Sequence, residues 1–231
     1  MWQAIADALS LLGTLDREVV AIAALSLRVS LVAVAAACLL GMPAGALIAI
    51  ARFPGREALV AVLNAFMGLP AVVVGLLAYL LLSRSGPLGE LGLAFTQGGM
   101  MIAQAVLVTP LVAALTRQIV EDADRELGEQ LRSLRLPPLR RAALLLFDAR
   151  FTLLIAVLAA FGRAISEVGA VLVVGGNIAG HTRTLTTAIS LETQKGDLPL
   201  ALALGMVLIG LVLLVNALAS GLKSVSLRVY G

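Results

Sequence analysis

The stretch LPLALALGMVLIGLVLLVNALASGL, residues 198–222, decides the fold class because it carries no charged side chain over its whole length. A helix needs about 20 apolar residues to cross a hydrocarbon core of about 30 Å. Comparable uncharged stretches run over 29–51, 58–83 and 91–116. Of the 231 residues, 60% are hydrophobic and 13% are charged, whereas a soluble domain carries about 25% charged residues. We therefore expect an all-α integral membrane protein.

A fifth apolar block, 151–174, contains Arg163 and Glu167. A charge at the middle of a bilayer costs roughly 2.5–3.5 kcal/mol. The two residues are four apart, so they share one face of a helix and can pair. Covering the rest of the block with lipid then outweighs their cost, because no soluble core is available to bury it. We predict a single transmembrane domain over 1–231 with five spans, at about 19–51, 58–82, 93–117, 151–174 and 198–222.

Lysine and arginine residues show how the chain is oriented. They concentrate in 52–57, in 117–150 and in the tail after Leu222, and cytoplasmic segments are the ones that carry such an excess. We expect a multi-pass protein of the cytoplasmic (inner) membrane with its N-terminus outside and its C-terminus in the cytoplasm. Nothing in the net charge of +3 indicates a nucleic-acid partner.

Several classes of function are excluded by composition. One histidine and one cysteine cannot build a zinc cluster or a disulfide framework. The spans hold no nucleophile–base pair, and no GxxxxGK[ST] motif is present, so the chain cannot hydrolyse ATP by the P-loop route. We expect no enzyme activity, no metal and no cofactor in this chain.

The hydrophilic loop 118–150 opens with acidic residues and ends with basic ones. Glu129 and Arg132 have helical spacing, and the pair Pro137–Pro138 ends a helix. This pattern predicts a short amphipathic helix at the inner membrane face, with a second helix that restarts near Leu139 and runs straight into the fourth span. The loop is either a solvated connector or the docking site of a cytoplasmic partner.

Two parts of the chain resemble ABC importer permeases. The segment EQLRSLR, 129–135, followed by Pro138, resembles their cytoplasmic EAA loop, with both alanines replaced and Arg135 at the usual glycine. The segments GRAISEVGA, 162–170, and GGNIAGHTRTLTTAI, 175–189, resemble permeases for molybdate, tungstate and sulfate, most closely the tungstate branch. The resemblance implies a type I importer fold, a homodimer of permeases, cytoplasmic ATP-binding subunits that use ATP and Mg, and an extracytoplasmic oxyanion-binding protein.

Candidate functional residues follow from these segments. A doubly charged oxyanion only accepts hydrogen bonds, so a pathway rich in donors suits it, and consecutive backbone N–H groups at 175–177 favour an anion. The alternative roles are turn formation and capping for the threonines and a purely structural ion pair for Arg163. The candidate pathway residues are Arg163, Glu167, Asn177, Thr182, Arg183, Thr186 and Thr187. The candidate coupling residues are Glu129, Arg132, Leu134, Arg135 and Pro138.

Two classes of function remain. The first is the permease subunit of an ATP-driven importer for tungstate or a related tetrahedral oxyanion, and the second is a self-contained anion channel or secondary carrier. A requirement for an ATPase separates them, and the resemblance favours the importer. Tungstate, molybdate and sulfate stay open as the transported ion.

Overall fold

The computed structural model describes residues 2–14 and 16–230, except for the side chains of Trp2, Ala4, Arg132 and 222–230. Over these residues the regular structure is entirely helical, which confirms the predicted all-α class. A 3-10 turn lies at Gly89–Leu91. The helices are α1 (Trp2–Gly13), α2 (Arg17–Ile50), α3 (Arg56–Met67), α4 (Ala71–Leu82), α5 (Gln97–Ser133), α6 (Pro138–Asp148), α7 (Arg150–Ile165), α8 (Gly169–Gly175), α9 (Leu185–Lys195) and α10 (Leu198–Tyr230).

Three of these helices, α2, α5 and α10, are each long and apolar enough to cross a membrane. Two further spans arise if α3 with α4, and α6 with α7, are each counted as one broken span. The described chain therefore has three to five candidate spans, a range that includes the predicted five. The orientation of the termini stays a prediction.

Two of the predicted spans are interrupted. The segment 58–82 is broken before Pro70, because the residue that precedes a proline is disfavoured in the helical region. The segment 151–174 is not one helix: α7 ends at Ile165, and α8 begins at Gly169. Interrupted helices free backbone groups that need other partners, and those partners determine the geometry of the candidate site.

The hydrophilic loop also differs from its prediction. The predicted amphipathic helix is the end of α5, which continues without a break from Gln97 to Ser133. The helix that restarts at Pro138 ends at Asp148, and it meets α7 at an angle of 77° instead of running straight into it. The corner between α5 and α6 is thus built on a helix that is also a candidate span.

The chain folds into two compact units, each assembled from separate segments of the sequence. Unit 1 covers Met1–Ala33, Pro70–Gln104 and Gly162–Leu214. One of its apolar clusters combines residues of α2, α9 and α10, and α4 packs closely on α8. A methyl group added at Gly75 would lie 2.6 Å from the Cα atom of Ala170. Glycine is therefore needed here for the two backbones to approach.

Unit 2 covers Val34–Leu69, Ala105–Phe161 and Val215–Gly231. Gly41 and Gly45, which have GxxxG spacing, lie against α5, and a methyl group added at Gly45 would be 2.3 Å from the carbonyl oxygen of Ala113. Such small residues let helices approach closely where lipid supplies no hydrophobic drive. An apolar cluster of Ala46, Val120, Ala142 and Leu145 with its neighbours joins α2, α5 and α6.

Candidate functional site

Arg163 lies in the last turn of α7, and Glu167 lies in the break between α7 and α8. The Nη2 atom of Arg163 is 3.9 Å from Oε2 of Glu167, and their side chains are 50% and 5% exposed. The buried carboxylate also accepts a hydrogen bond of 2.9 Å from the backbone N–H of Gly169 through Oε1. The structure therefore brings the two residues together as expected, but the contact is long and Arg163 is half exposed. Their roles in a pathway stay a prediction.

The same break is held by two neutral side chains. Thr186 donates its hydroxyl to the carbonyl oxygen of Glu167 at 2.7 Å. Gln104 donates its amide to the carbonyl oxygen of Ala164, also at 2.7 Å, and its side chain is buried. Gln104 is absent from the predicted site residues. Its polar amide within an uncharged span was nevertheless a signal for a buried polar contact.

Thr182 forms the turn that follows α8. Its hydroxyl donates to the carbonyl oxygen of Gly175 at 2.6 Å and accepts from the backbone N–H of Ile178 at 2.9 Å. The side chain has no exposed surface. These contacts favour the alternative role of turn formation for this threonine.

Thr187 has a similar structural contact. With Thr184 it forms a capping box at the start of α9, in which the Thr187 hydroxyl accepts a hydrogen bond of 3.0 Å from the backbone N–H of Thr184. Such boxes satisfy backbone donors that a helix leaves unpaired at its first turn. Both side chains are buried, so their hydroxyls are directed at the protein itself.

Asn177 occupies a left-handed backbone conformation with φ of 51°. Its amide Nδ2 donates to the carbonyl oxygen of Thr187 at 3.3 Å, which ties the turn to α9. The backbone N–H of Gly176, part of the predicted anion-binding concavity, donates to the carbonyl oxygen of Leu172. This group is therefore already occupied.

Arg183 is surrounded by acidic side chains. Its Nη1 atom lies 3.5 Å from a carboxylate oxygen of Glu18 and 3.6 Å from one of Glu192. Glu192 is buried and is also bonded by Lys195 at 2.9 Å. The positive charge of Arg183 is thus compensated in place. The carboxylates that compensate it were not among the predicted site residues, because nothing in the local sequence pairs Glu18 with a residue 165 positions away.

A cavity of about 510 Å³ adjoins this cluster in unit 1. Its polar lining comes from Glu18, Arg28, Gln97 and Arg183, and its apolar wall comes from α2. The amide of Gln97 donates to the carbonyl oxygen of His181. Arg28, on α2, therefore borders the same cavity as the Arg183 cluster.

The predicted coupling residues lie at the corner between α5 and α6. Glu129 and Pro138 are exposed, and Leu134 is 66% exposed. Arg135 has φ of 49°, a conformation that glycine adopts without steric cost, and this agrees with its position at the usual glycine of the EAA loop. The side chain of Arg132 lies outside the described residues. The corner thus presents an apolar side chain among polar ones.

The family of binding-protein-dependent transport system inner membrane components matches residues 41–224, most of the chain. The chain belongs to this family. It is an ABC importer permease, a multi-pass protein of the inner membrane. Membership decides against the self-contained channel or carrier, because permeases of this family act with a binding protein.

Three relatives of this permease illustrate the range of similarity. A probable anion ABC transporter permease of Haloferax volcanii is 42% identical over 87% of this chain and 89% of its own length. A tungstate uptake system permease of Peptoclostridium acidaminophilum is 40% identical over 94% of this chain and 95% of its own. A molybdenum transport system permease of Escherichia coli is 31% identical over 75% and 80%.

Proposed function

We propose that this permease imports tungstate, or a related tetrahedral oxyanion, across the inner membrane. The observation that carries the proposal is the 40% identity to a tungstate uptake permease over nearly the full length of both chains. The identity to a molybdenum permease is lower and covers less of the chain. The motif at 175–189 belongs to the part of the sequence that resembles the tungstate branch.

The transporting unit in this proposal is a homodimer of the permease. Cytoplasmic ATP-binding subunits hydrolyse ATP with Mg, since the chain itself has no P-loop motif. An extracytoplasmic binding protein delivers the oxyanion. The excess of lysine and arginine in 117–150 supports a cytoplasmic location for the α5–α6 corner, with the N-terminus outside.

Arg163 is the candidate pathway residue whose charge is most available to an anion. It is half exposed and only loosely paired, whereas Arg183 is flanked by two carboxylates. Thr182, Thr186 and Thr187 direct hydroxyls at the backbone. In our proposal Arg163 provides positive potential for the anion, Glu167 limits its retention, and the threonines keep the pathway's backbone in shape. A pathway must bind its ion weakly enough to release it.

The test of substrate is uptake by proteoliposomes that contain the permease, its ATP-binding subunit and its binding protein. We expect ATP-dependent uptake of tungstate that exceeds uptake of sulfate at equal concentration, with molybdate between them. Uptake without ATP, or the same rate for all three ions, would contradict the proposal. Vesicles that lack the ATP-binding subunit are the control.

The test of docking replaces Glu129 and Leu134 together by alanine. We expect the variant to insert in the membrane and to dimerise, but to lose at least tenfold in oxyanion uptake because the exposed corner no longer fits the ATP-binding subunit. Leu213→Ala, at an exposed leucine of α10, is the control and should transport normally. Normal transport by the double variant would show that the corner is not the docking site.

A further inference from the structure

The end of α5 carries three charged residues and a glycine on one face. Arg117, Glu121, Asp124 and Gly128 follow one another at intervals of four, three and four, and residues at these intervals share one face of a helix. This face meets other elements of unit 2 through ion pairs, whereas the predicted coupling residues lie beyond it at the end of the helix.

Asp124 joins α5 to α6. The Nε atom of Arg141 donates to Oδ1 of Asp124 at 2.9 Å, and its Nη2 atom contacts both carboxylate oxygens. The two side chains are 19% and 16% exposed. Bidentate contacts between guanidinium and carboxylate fix orientation as well as distance. The ion pair thus holds α6 in one direction on α5.

Gly128 makes room for this ion pair. A methyl group added there would lie 2.9 Å from Oδ1 of Asp124. The residue is buried although glycine is a poor helix former. The absence of a side chain at this position therefore leaves the Asp124 carboxylate in place.

A second set of contacts joins α5 to the end of α2. Arg56 donates its Nε to the carbonyl oxygen of Ile48 at 3.0 Å, near the C-terminus of α2, where cations are favoured. Its Nη2 atom also contacts Glu121. Glu121 in turn bonds Arg117 at 2.7 Å through its other carboxylate oxygen. The face of α5 that holds α6 is therefore itself anchored on α2.

The helix α6 depends on these contacts for its position. It has 11 residues, and helices of this length are marginal unless tertiary contacts stabilise them. Only Ala142 and Leu145 of α6 are buried, while Leu139 and Phe147 are largely exposed. A small apolar contact and one ion pair thus hold α6 on α5. The exposed face of α6 lies beside the predicted docking corner.

We propose that Asp124 and Arg141 are positioning residues for energy coupling. Their ion pair makes α6 and the end of α5 move as one body, so that a displacement imposed by the ATP-binding subunit reaches α5 instead of being absorbed at 134–137. The inference rests on the proposed docking of that subunit at the α5–α6 corner. It predicts a loss of coupling that is separate from a loss of stability.

The experiment measures oxyanion imported per ATP hydrolysed by the assembled complex in proteoliposomes. Asp124→Asn removes one charge and keeps the shape of the side chain. We expect it to retain ATP hydrolysis within about twofold of the unchanged complex and to lose at least fivefold in imported ion per ATP. Asp122→Asn is the matched control, because Asp122 pairs with Arg125 on the exposed surface of the same helix and should couple normally.

The double variant Asp124→Asn with Arg141→Gln separates positioning from stability. Neutralising both partners leaves no uncompensated buried charge, so the melting temperature should recover relative to Asp124→Asn. Coupling should not recover, because a neutral contact orients α6 less firmly than the bidentate ion pair. Recovery of both quantities together would overturn the proposal and leave Asp124 a purely stabilising residue.

This result is distinguishable from a failure of the docking proposal. Coupling is a ratio measured with whichever oxyanion the unchanged complex imports, so it does not require that the ion be tungstate. If the Glu129 and Leu134 variant transports normally, docking at the corner is wrong. If that variant is impaired and Asp124→Asn couples normally, docking stands and the positioning role is wrong.

Discussion

Units 1 and 2 face the same physical problem, interrupted helices, and stabilise them with different chemistry. In unit 1 the break between α7 and α8 and the turn after it are held by neutral donors, among them Gln104, Thr182 and Thr186. In unit 2 the connections of α2 and α6 to α5 are held by ion pairs, as at Asp124 and Arg141. Backbone carbonyl groups find side-chain donors in both units, from Gln104 and Thr186 in unit 1 and from Arg56 in unit 2.

The difference follows from the cost of burying charge. A neutral hydroxyl or amide satisfies a carbonyl group among apolar helices at a small desolvation cost, whereas an ion needs a close partner or water. The Arg183 cluster of unit 1 obeys the same rule, since its buried carboxylate on Glu192 has two cationic neighbours. We therefore expect the stability of unit 1 to fall when a hydroxyl at its breaks is removed. The stability of unit 2 should fall when a charge at its helix connections is removed or when two of its helices are forced apart.

The largest loss of stability should come from a substitution that forces two helices of unit 2 apart. Gly45→Ala places a methyl group 2.3 Å from a backbone carbonyl oxygen of α5, and neither helix can move without disturbing its neighbours. We expect a loss of about 3 kcal/mol or more in stability, seen as a loss of monodisperse protein in size-exclusion chromatography. Gly205→Ala on α10, where the added methyl group meets nothing within 4 Å, should behave normally. Equal behaviour of the two variants would refute the close packing of α2 on α5.

An intermediate loss of stability should come from removing a buried hydroxyl of unit 1. Thr182→Val keeps the shape of the side chain but leaves the carbonyl of Gly175 and the N–H of Ile178 without their partner. We expect a loss of roughly 2–4 kcal/mol in stability, because each buried polar group left unsatisfied costs about 1–3 kcal/mol. The measurement is the thermal melting of the purified permease. Thr182→Ser retains the hydroxyl and should melt close to the unchanged protein; a similar fall in both would place the effect in the methyl group.

The smallest effect on stability should come from the pair of Arg163 and Glu167. A broken buried ion pair costs a few kcal/mol, but here the contact is long and Arg163 is half exposed. In Glu167→Gln the new amide oxygen can still accept the hydrogen bond from the N–H of Gly169. We therefore expect Glu167→Gln to lose about 1 kcal/mol of stability or less. Arg163→Met should assemble normally and import the oxyanion more slowly. A double-mutant cycle on melting and uptake tests both statements. A coupling energy of several kcal/mol, or normal uptake by Arg163→Met, would contradict them.

The sequence by itself determined the class of the fold and the kind of transporter. Runs of apolar residues and the placement of charges are local properties of the sequence. They indicate that the chain lies in a membrane and that its spans are helical. The motif at 175–189 likewise identified the oxyanion branch without any contact being known. Proline alone does not locate a break, because Pro70 lies at one whereas Pro43 and Pro110 lie inside continuous helices.

Only the tertiary structure decided which polar groups meet. Arg141 and Asp124 are 17 residues apart, Arg56 and Glu121 are 65 apart, and Arg183 and Glu18 are 165 apart. No periodicity within one helix specifies such pairs, because they depend on how separate helices pack. For the same reason the threonines of 175–189 looked equally suited to an anion and to a turn. Their hydroxyls contact backbone groups that become available only where the folded chain interrupts a helix.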